Sequence, residues 1–146
     1  MQAIVFSGVQ ASGKSTFYRE RFFRSHVRLS LDLLGTRQRE DVLLHACLAI
    51  GQPFVIDNTS PAAKTRRRYA SLARAAGFRT TLYHFQSAGA DAARRNALRP
   101  VDERVPSVAI FGALKKFQRP TPEEGFDEIF TVEISAGGAF VVTPWS

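Results

Sequence analysis

The sequence predicts a three-layer α/β fold, with a mainly parallel five-stranded sheet, helices on both faces, a lid segment and a C-terminal edge hairpin. Three observations carry this. Short apolar runs alternate with longer stretches of helical periodicity. A glycine-containing turn joins the first run to the first helical stretch. The punctuation by Gly, Pro and Ser leaves no repeat, low-complexity tract or linker.

The elements follow in order. Ala3 to Phe6 is an apolar strand, followed by the turn Gly8 to Gly13 and a helix from Lys14 to about Arg24. A second short strand, Val27 to Ser30, ends just before Asp32. From Thr36 to Ile50 the residues Val42, Leu43, Ala46, Cys47 and Ile50 recur at three and four, a helical stripe that Gly51 terminates as a C′ residue. Phe54-Val55-Ile56 is a buried strand. Ser60-Pro61 then opens a helix as cap and first helical residue, and Gly77 ends it. Thr80 to Phe85 is the fourth strand. Ala88 to Leu98 reads as helix, Pro100 to Pro106 as a charged loop, and Ser107 to Phe117 as a last helix before Pro120-Thr121-Pro122. The fifth strand is Ile129 to Ile134, and Ala139 to Val142 adds an antiparallel edge after the Gly137-Gly138 turn. Helical crossovers make the first five strands parallel, so the working loops belong at their carboxyl ends.

Composition narrows the function classes. One hundred and forty-six residues, 45% of them hydrophobic, suit one compact domain, residues 1–146. The single cysteine, Cys47, allows no internal disulfide, and the apolar runs fall short of the ~20 residues of a membrane helix. The first residues lack the charged and apolar regions of a secretion signal, so a cytoplasmic location without membrane contact is expected. The net charge of +7 is unevenly placed: +2 over residues 1–57, +10 over 58–122 and −5 over 123–146. Sixteen of the twenty basic residues are Arg, whose fork matches phosphate, so the middle third suits a polyanion. Solvated Arg-rich helices explain the same count, and Arg66, Arg67 and Arg68 read as such a solvated cluster. His26, His45 and His84 have no ligand spacing. Phe22, Phe23, Phe78, Phe111 and Phe117 read as core.

The chemistry concentrates in Gly8-Val9-Gln10-Ala11-Ser12-Gly13-Lys14-Ser15, two glycines five apart followed by Lys and Ser. This is the phosphate-binding loop pattern, in its expected place between a strand and a helix. Backbone N–H groups of Gln10, Ala11, Ser12, Gly13, Lys14, Ser15 and Thr16 surround an anion at the helix N-terminus, and Gly8 and Gly13 permit the tight backbone. Lys14 bridges the outer phosphates and the Ser15 hydroxyl ligates Mg²⁺. The expected cofactors are therefore ATP, with GTP not distinguished, and Mg²⁺, in a P-loop NTPase or kinase fold.

Asp57 closes the third strand, where a carboxylate holds the magnesium ion in many such proteins; a turn-forming aspartate is the other reading. Asp32 lies at the same sheet edge as the loop, and serves either as general base toward a substrate hydroxyl or as a helix-start aspartate. Arg94, Arg95 and Arg99 precede the charged loop, with Arg104 after it. They are either arginines of a lid over about 88–106, closing on the transferring phosphate, or an exposed basic helix.

Together these residues resemble the kinase domain of the polynucleotide kinase/phosphatase family and its small bacterial relatives. The resemblance runs from Ala3 to about Ile134. It rests on Gly8 to Thr16, Asp32-Leu33-Leu34-Gly35, Ile56-Asp57-Asn58-Thr59-Ser60-Pro61, Arg95-Asn96 with Arg99, and Pro120 to Phe126. It implies that Asp32 activates the 5′-hydroxyl of a DNA or RNA strand, that Arg99 reaches the transferring phosphate with Arg95 beside it, and that Asp57 lies near both metal and acceptor. The family often has Arg where this chain has Leu31, and some members have Arg at Gly35; Arg37 and Arg39 are placed to take over those acceptor contacts. The phosphatase half has no counterpart in these residues. Two other readings stay open: a kinase of a small-molecule hydroxyl such as a sugar, nucleoside or antibiotic, and a regulatory ATP-binding module. Oligomeric state is not legible.

Overall fold

The structure, a computed structural model, describes residues 1–86 and 89–145. Its strands are β1 (Gln2–Ser7), β2 (Val27–Leu29), β3 (Phe54–Ile56), β4 (Arg79–Phe85), β5 (Glu128–Ile134) and β6 (Phe140–Pro144). The helices are α1 (Lys14–Arg21), α2 (Leu31–Leu34), α3 (Arg37–Ile50), α4 (Ala63–Ala75), α5 (Gly89–Ala97) and α6 (Ser107–Lys116). Short 3₁₀ turns cover Val101–Glu103 and Pro122–Glu124. The expected helix start at Ala88, and with it the start of the lid, lies outside the described residues.

All six strands join one sheet in the order β2-β3-β1-β4-β5-β6. The first five are parallel, as the helical crossovers require, and β6 pairs antiparallel with β5, with Val132 opposite Val142. The sheet is therefore six-stranded, because the hairpin strand extends it rather than standing apart. The chain leaves β1 toward β3 and β2 and later returns to β4 on its other side. This reversal opens a crevice at the carboxyl end of β1, where the glycine loop emerges.

Strand alternation divides the core. Ala3, Val5, Leu29, Leu44, Phe54, Ile56, Tyr69, Ala73 and Leu82 form the apolar layer between the sheet and α3 and α4. On the opposite face Ile4, Phe6, Phe17, Tyr18, Val55, Phe85 and Val132 pack around α1. Phe6, Phe17 and Phe85 meet edge to face at centroid distances of 5.1–5.8 Å. Each such ring, fully buried, contributes about 1.5–3 kcal/mol. This aromatic packing seats α1, and hence the loop that precedes it, on the sheet.

Several sequence expectations are corrected. α1 ends at Arg21, and Phe22 turns back against Phe6 and Phe17. Phe23 and Phe111 are exposed, at 69% and 46%, so neither is core. Ser60 does not cap α4, whose N-cap is Ala62. It holds a left-handed φ of 43° instead, and its carbonyl accepts hydrogen bonds from Ser7 and Arg66. Arg66 is not solvated but fully buried. It forms a two-pronged pair with the buried Glu124, at 2.6 and 3.0 Å, and donates to the carbonyls of Ser60, Pro61 and Gln118. Glu124 also accepts from the Thr121 N–H in a capping box. The Pro-Thr-Pro-Glu-Glu segment thus anchors the chain leaving α6 onto α4.

Candidate active site

The glycine loop closes tightly. A side chain at Gly8 would come within 2.7 Å of Phe85 Cβ and 2.9 Å of Ser12 Oγ, so the first glycine is required by close approach. At Gly13 the requirement is doubled: φ is 97°, and a Cβ there would meet Phe140 and Ile134 at 3.0–3.1 Å. Ala11 also takes a left-handed φ of 62°. The Gly8 N–H donates to Thr59 O (2.9 Å), tying the loop to the segment after β3. Among the described residues Ser12 Oγ is buried without a partner, a donor available to an anion in the loop.

Lys14 lies inside this loop, 8% exposed, with Nζ donating to the Gly8 and Val9 carbonyls at 3.0 and 2.8 Å. Burial pushes its ammonium down to about 8, the nearby Arg99 pushes the same way, and Asp57 and Asp32 oppose both. All three side chains therefore lie within electrostatic reach of Lys14, although they come from just after β3, from α2 and from just after α5.

Ser15 and Asp57 meet directly. Ser15 Oγ donates to Asp57 Oδ2 at 3.1 Å, and the Asp57 side chain is 2% exposed. The two oxygens suit a hard divalent cation in kind and in spacing. An octahedral ion with metal–oxygen distances of ~2.1 Å has edges of about 3.0 Å. Arg28, which the sequence reading missed, also joins this pair. Its Nε donates to Asp57 Oδ2 at 2.7 Å and its Nη2 to Ser15 Oγ at 3.1 Å. The only sequence signal for it is a charged residue inside an otherwise apolar strand.

Asp32 is carried by α2, a single turn too short to read from periodicity, and is exposed. Its placement comes from behind. The Leu31 N–H donates to Asn58 Oδ1 (2.8 Å), and Asn58 Nδ2 donates to Glu40 Oε2 (2.7 Å). Glu40 is fully buried and also accepts from Tyr69. Burial and this bond to Glu40 push the Tyr69 hydroxyl far up, so it stays protonated. Asn58 follows Asp57 and Leu31 precedes Asp32, so one side-chain amide sets the two carboxylates relative to each other.

The expected acceptor arginines are partly engaged within the molecule. Arg37 Nη1 donates to Tyr69 Oη at 3.3 Å and pairs with Glu40 at 3.8 Å; Arg39 Nη1 donates to Leu34 O at 3.1 Å. Arg37 follows the N-cap Thr36, whose Oγ1 accepts from the Arg39 N–H. From α5, Arg95 Nε donates to Ala11 O at 2.8 Å, so this helix touches the loop. Asn96 clamps the charged loop by donating to Val105 O at 2.5 Å and accepting from Val105 N at 2.9 Å. Arg104 Nε holds the Arg99 carbonyl at 2.7 Å. Lys14 and Ser15 from α1, Asp57 from just after β3, Asp32 from α2, Arg95 from α5 and Arg99 from just after α5 thus gather around the glycine loop. Arg94 is exposed on α5.

Known proteins offer likenesses to this chain in sequence and in fold. Over 132 residues, 88% of the chain, it is 27% identical to the bifunctional polynucleotide phosphatase/kinase of Schizosaccharomyces pombe, and it spans about a third of the length of that relative. Among solved structures it resembles Kti12 of Chaetomium thermophilum in complex with ADP-AlF3, with a TM-score of 0.63 and 16% identity, covering 93% of this chain and 92% of that one. It also resembles a gluconokinase from Sinorhizobium meliloti 1021, with a TM-score of 0.65 and 17% identity, covering 92% and 83%. At these identities the two structures speak for the fold. Residues 4–121 match the AAA domain family AAA_33. The chain belongs to that family of nucleotide-binding domains and has its P-loop, kinase-like fold.

Proposed function

We propose that this domain transfers the γ-phosphoryl group of ATP to the 5′-hydroxyl end of a DNA or RNA strand. The observation that carries this is the placement of Asp32. It stands at the end of the strand beyond β3, fixed through Leu31 and Asn58, within electrostatic reach of the loop lysine, in a chain similar to a polynucleotide phosphatase/kinase.

In this reading the loop N–H groups and the Ser12 hydroxyl bind the phosphates, and Lys14 leaves the Gly8 and Val9 carbonyls to bridge the outer two. Asp32 accepts the proton of the acceptor hydroxyl as its oxygen attacks the γ-phosphorus; the bond to the β–γ bridging oxygen breaks and ADP leaves. Arg95 and Arg99 face the charge that spreads over the equatorial oxygens. Ser15 and Asp57 would hold Mg²⁺, which when bound neutralises the phosphate oxygens. The acceptor lies along α2, with Arg37, Arg39 and Asp57 around it. The surplus of +10 over residues 58–122 favours a polyanionic acceptor.

A small-molecule hydroxyl is the second reading. It is favoured by Leu31 at the start of α2 and by the engagement of Arg37 and Arg39 with Tyr69 and Leu34. Incubation with labelled ATP, Mg²⁺ and either 5′-hydroxyl oligonucleotides or a panel of sugars and nucleosides separates the two. The proposal expects label on the oligonucleotide ends; label on a metabolite alone would replace it.

A further inference from the structure

Arg28 occupies a position that the proposed chemistry does not use. It lies in β2, in register with Val55 of the neighbouring strand, and its guanidinium reaches across the carboxyl end of the sheet to two oxygens at once. Asp57 Oδ2 accepts from both Arg28 Nε and Ser15 Oγ, and Ser15 Oγ accepts from Arg28 Nη2. The three groups form a closed triangle with sides of 2.7, 3.1 and 3.1 Å. A positive charge thus already rests on the pair of oxygens whose spacing matches the edge of an octahedral divalent ion.

The two cations compete. A divalent ion drawn between these oxygens would stand a few ångströms from the guanidinium, where like charges repel strongly in a partly buried setting. It would also take the Ser15 and Asp57 lone pairs that Arg28 now uses. The arginine is free to yield: its side chain is 29% exposed and β2 is an edge strand. Asp57, by contrast, is buried and without Arg28 would stand as a carboxylate beside the site of a polyphosphate.

We propose that Arg28 is the resident counter-cation of the metal site. It neutralises Asp57 and holds the Ser15 hydroxyl in place while no divalent ion is bound, and it is displaced when one arrives with the nucleotide. It is therefore a positioning residue that sets how much metal the domain needs. This inference rests on the reading of Ser15 and Asp57 as metal ligands.

The test is equilibrium binding of ADP, by calorimetry, in EDTA and across a Mg²⁺ titration, for the intact chain and for Arg28→Ala and Arg28→Gln. The glutamine keeps the bulk of the side chain, so it carries the test if the alanine variant folds poorly. The wild-type chain is expected to bind ADP more tightly as Mg²⁺ rises. Either variant is expected to reach the half-maximal gain at roughly fivefold lower Mg²⁺, and to bind ADP roughly fivefold more weakly in EDTA, on the scale of one partly exposed ion pair. A Mg²⁺ response unchanged by either substitution overturns the role of Arg28 alone. A wild-type chain whose ADP affinity ignores Mg²⁺ overturns the metal reading and this inference together. A loss of thermal stability without a shift in Mg²⁺ dependence assigns Arg28 to structure only, and contradicts the proposal.

Discussion

Burial strips water from the Lys14 ammonium, and the pull of Asp57 and Asp32 does not make up the loss, so it is pushed down to about 8 from 10.5. The sign of the consequence follows. Between those values the unfolded chain binds more protons than the folded one, so the stability of the nucleotide-free protein rises with pH across that window. In the proposed role of Lys14, nucleotide binding needs the charged form. Affinity for ADP is therefore expected to fall as pH rises from about 7 to about 9.5, with the decline centred near 8, and a Lys14→Met variant should show a flatter profile. An affinity for the unaltered chain that stays level across this range would contradict the assignment of Lys14 to the phosphates. Asp32 makes the complementary case: Asp32→Ala is expected to lower phosphoryl transfer by at least about a hundredfold while leaving ATP affinity within about twofold. Retained turnover would refute its role as base.

The elements that place these residues depend on buried polar pairs. Arg66 and Glu124 are both fully buried, and the pair fastens the segment after α6 to α4. Glu124→Ala leaves a guanidinium uncompensated and should cost about 3–5 kcal/mol in a denaturant titration. A loss below about 1 kcal/mol would show that Arg66 finds other partners. α2 depends on Asn58: Asn58→Ala is expected to reduce kcat more than ATP affinity, since it releases Leu31 without touching the loop. Equal losses in both would assign Asn58 to general stability. These pairs also mark where reading from sequence stops. Gly8 to Ser15 was legible because a phosphate loop is a local pattern, and the parallel direction of the first five strands followed because helical crossovers join them. Arg28, Arg66 and Glu40 were not, because the side chains that hold them, Asp57, Glu124 and Asn58, lie at least 18 residues away in the chain, and no local pattern distinguishes a buried arginine from a solvated one. Ser60 failed as a cap for a related reason: its backbone serves Ser7 and Arg66, and tertiary contacts outweighed the local capping preference.

At the scale of the whole molecule, the charge distribution is what favours the proposed polynucleotide acceptor. Residues 58–122 carry the +10 surplus, and within it Arg95 touches the phosphate loop and Arg99 lies within electrostatic reach of Lys14. An oligonucleotide bound across this region releases counterions, so its affinity should fall steeply with salt, by about 0.7 log units per tenfold increase for each phosphate contacted on a single strand. A neutral sugar or nucleoside should show little response. A salt-independent oligonucleotide affinity would leave the arginines as surface charge and shift the account toward the small acceptor. The most direct measurement is end-labelling: γ-labelled ATP, Mg²⁺ and a 5′-hydroxyl oligonucleotide, with the intact chain and with Asp32→Ala. The account expects label on the 5′-ends with the intact chain and almost none with the variant, which still binds ATP. ATP turnover that leaves the ends unlabelled, or equal labelling by both proteins, would contradict it.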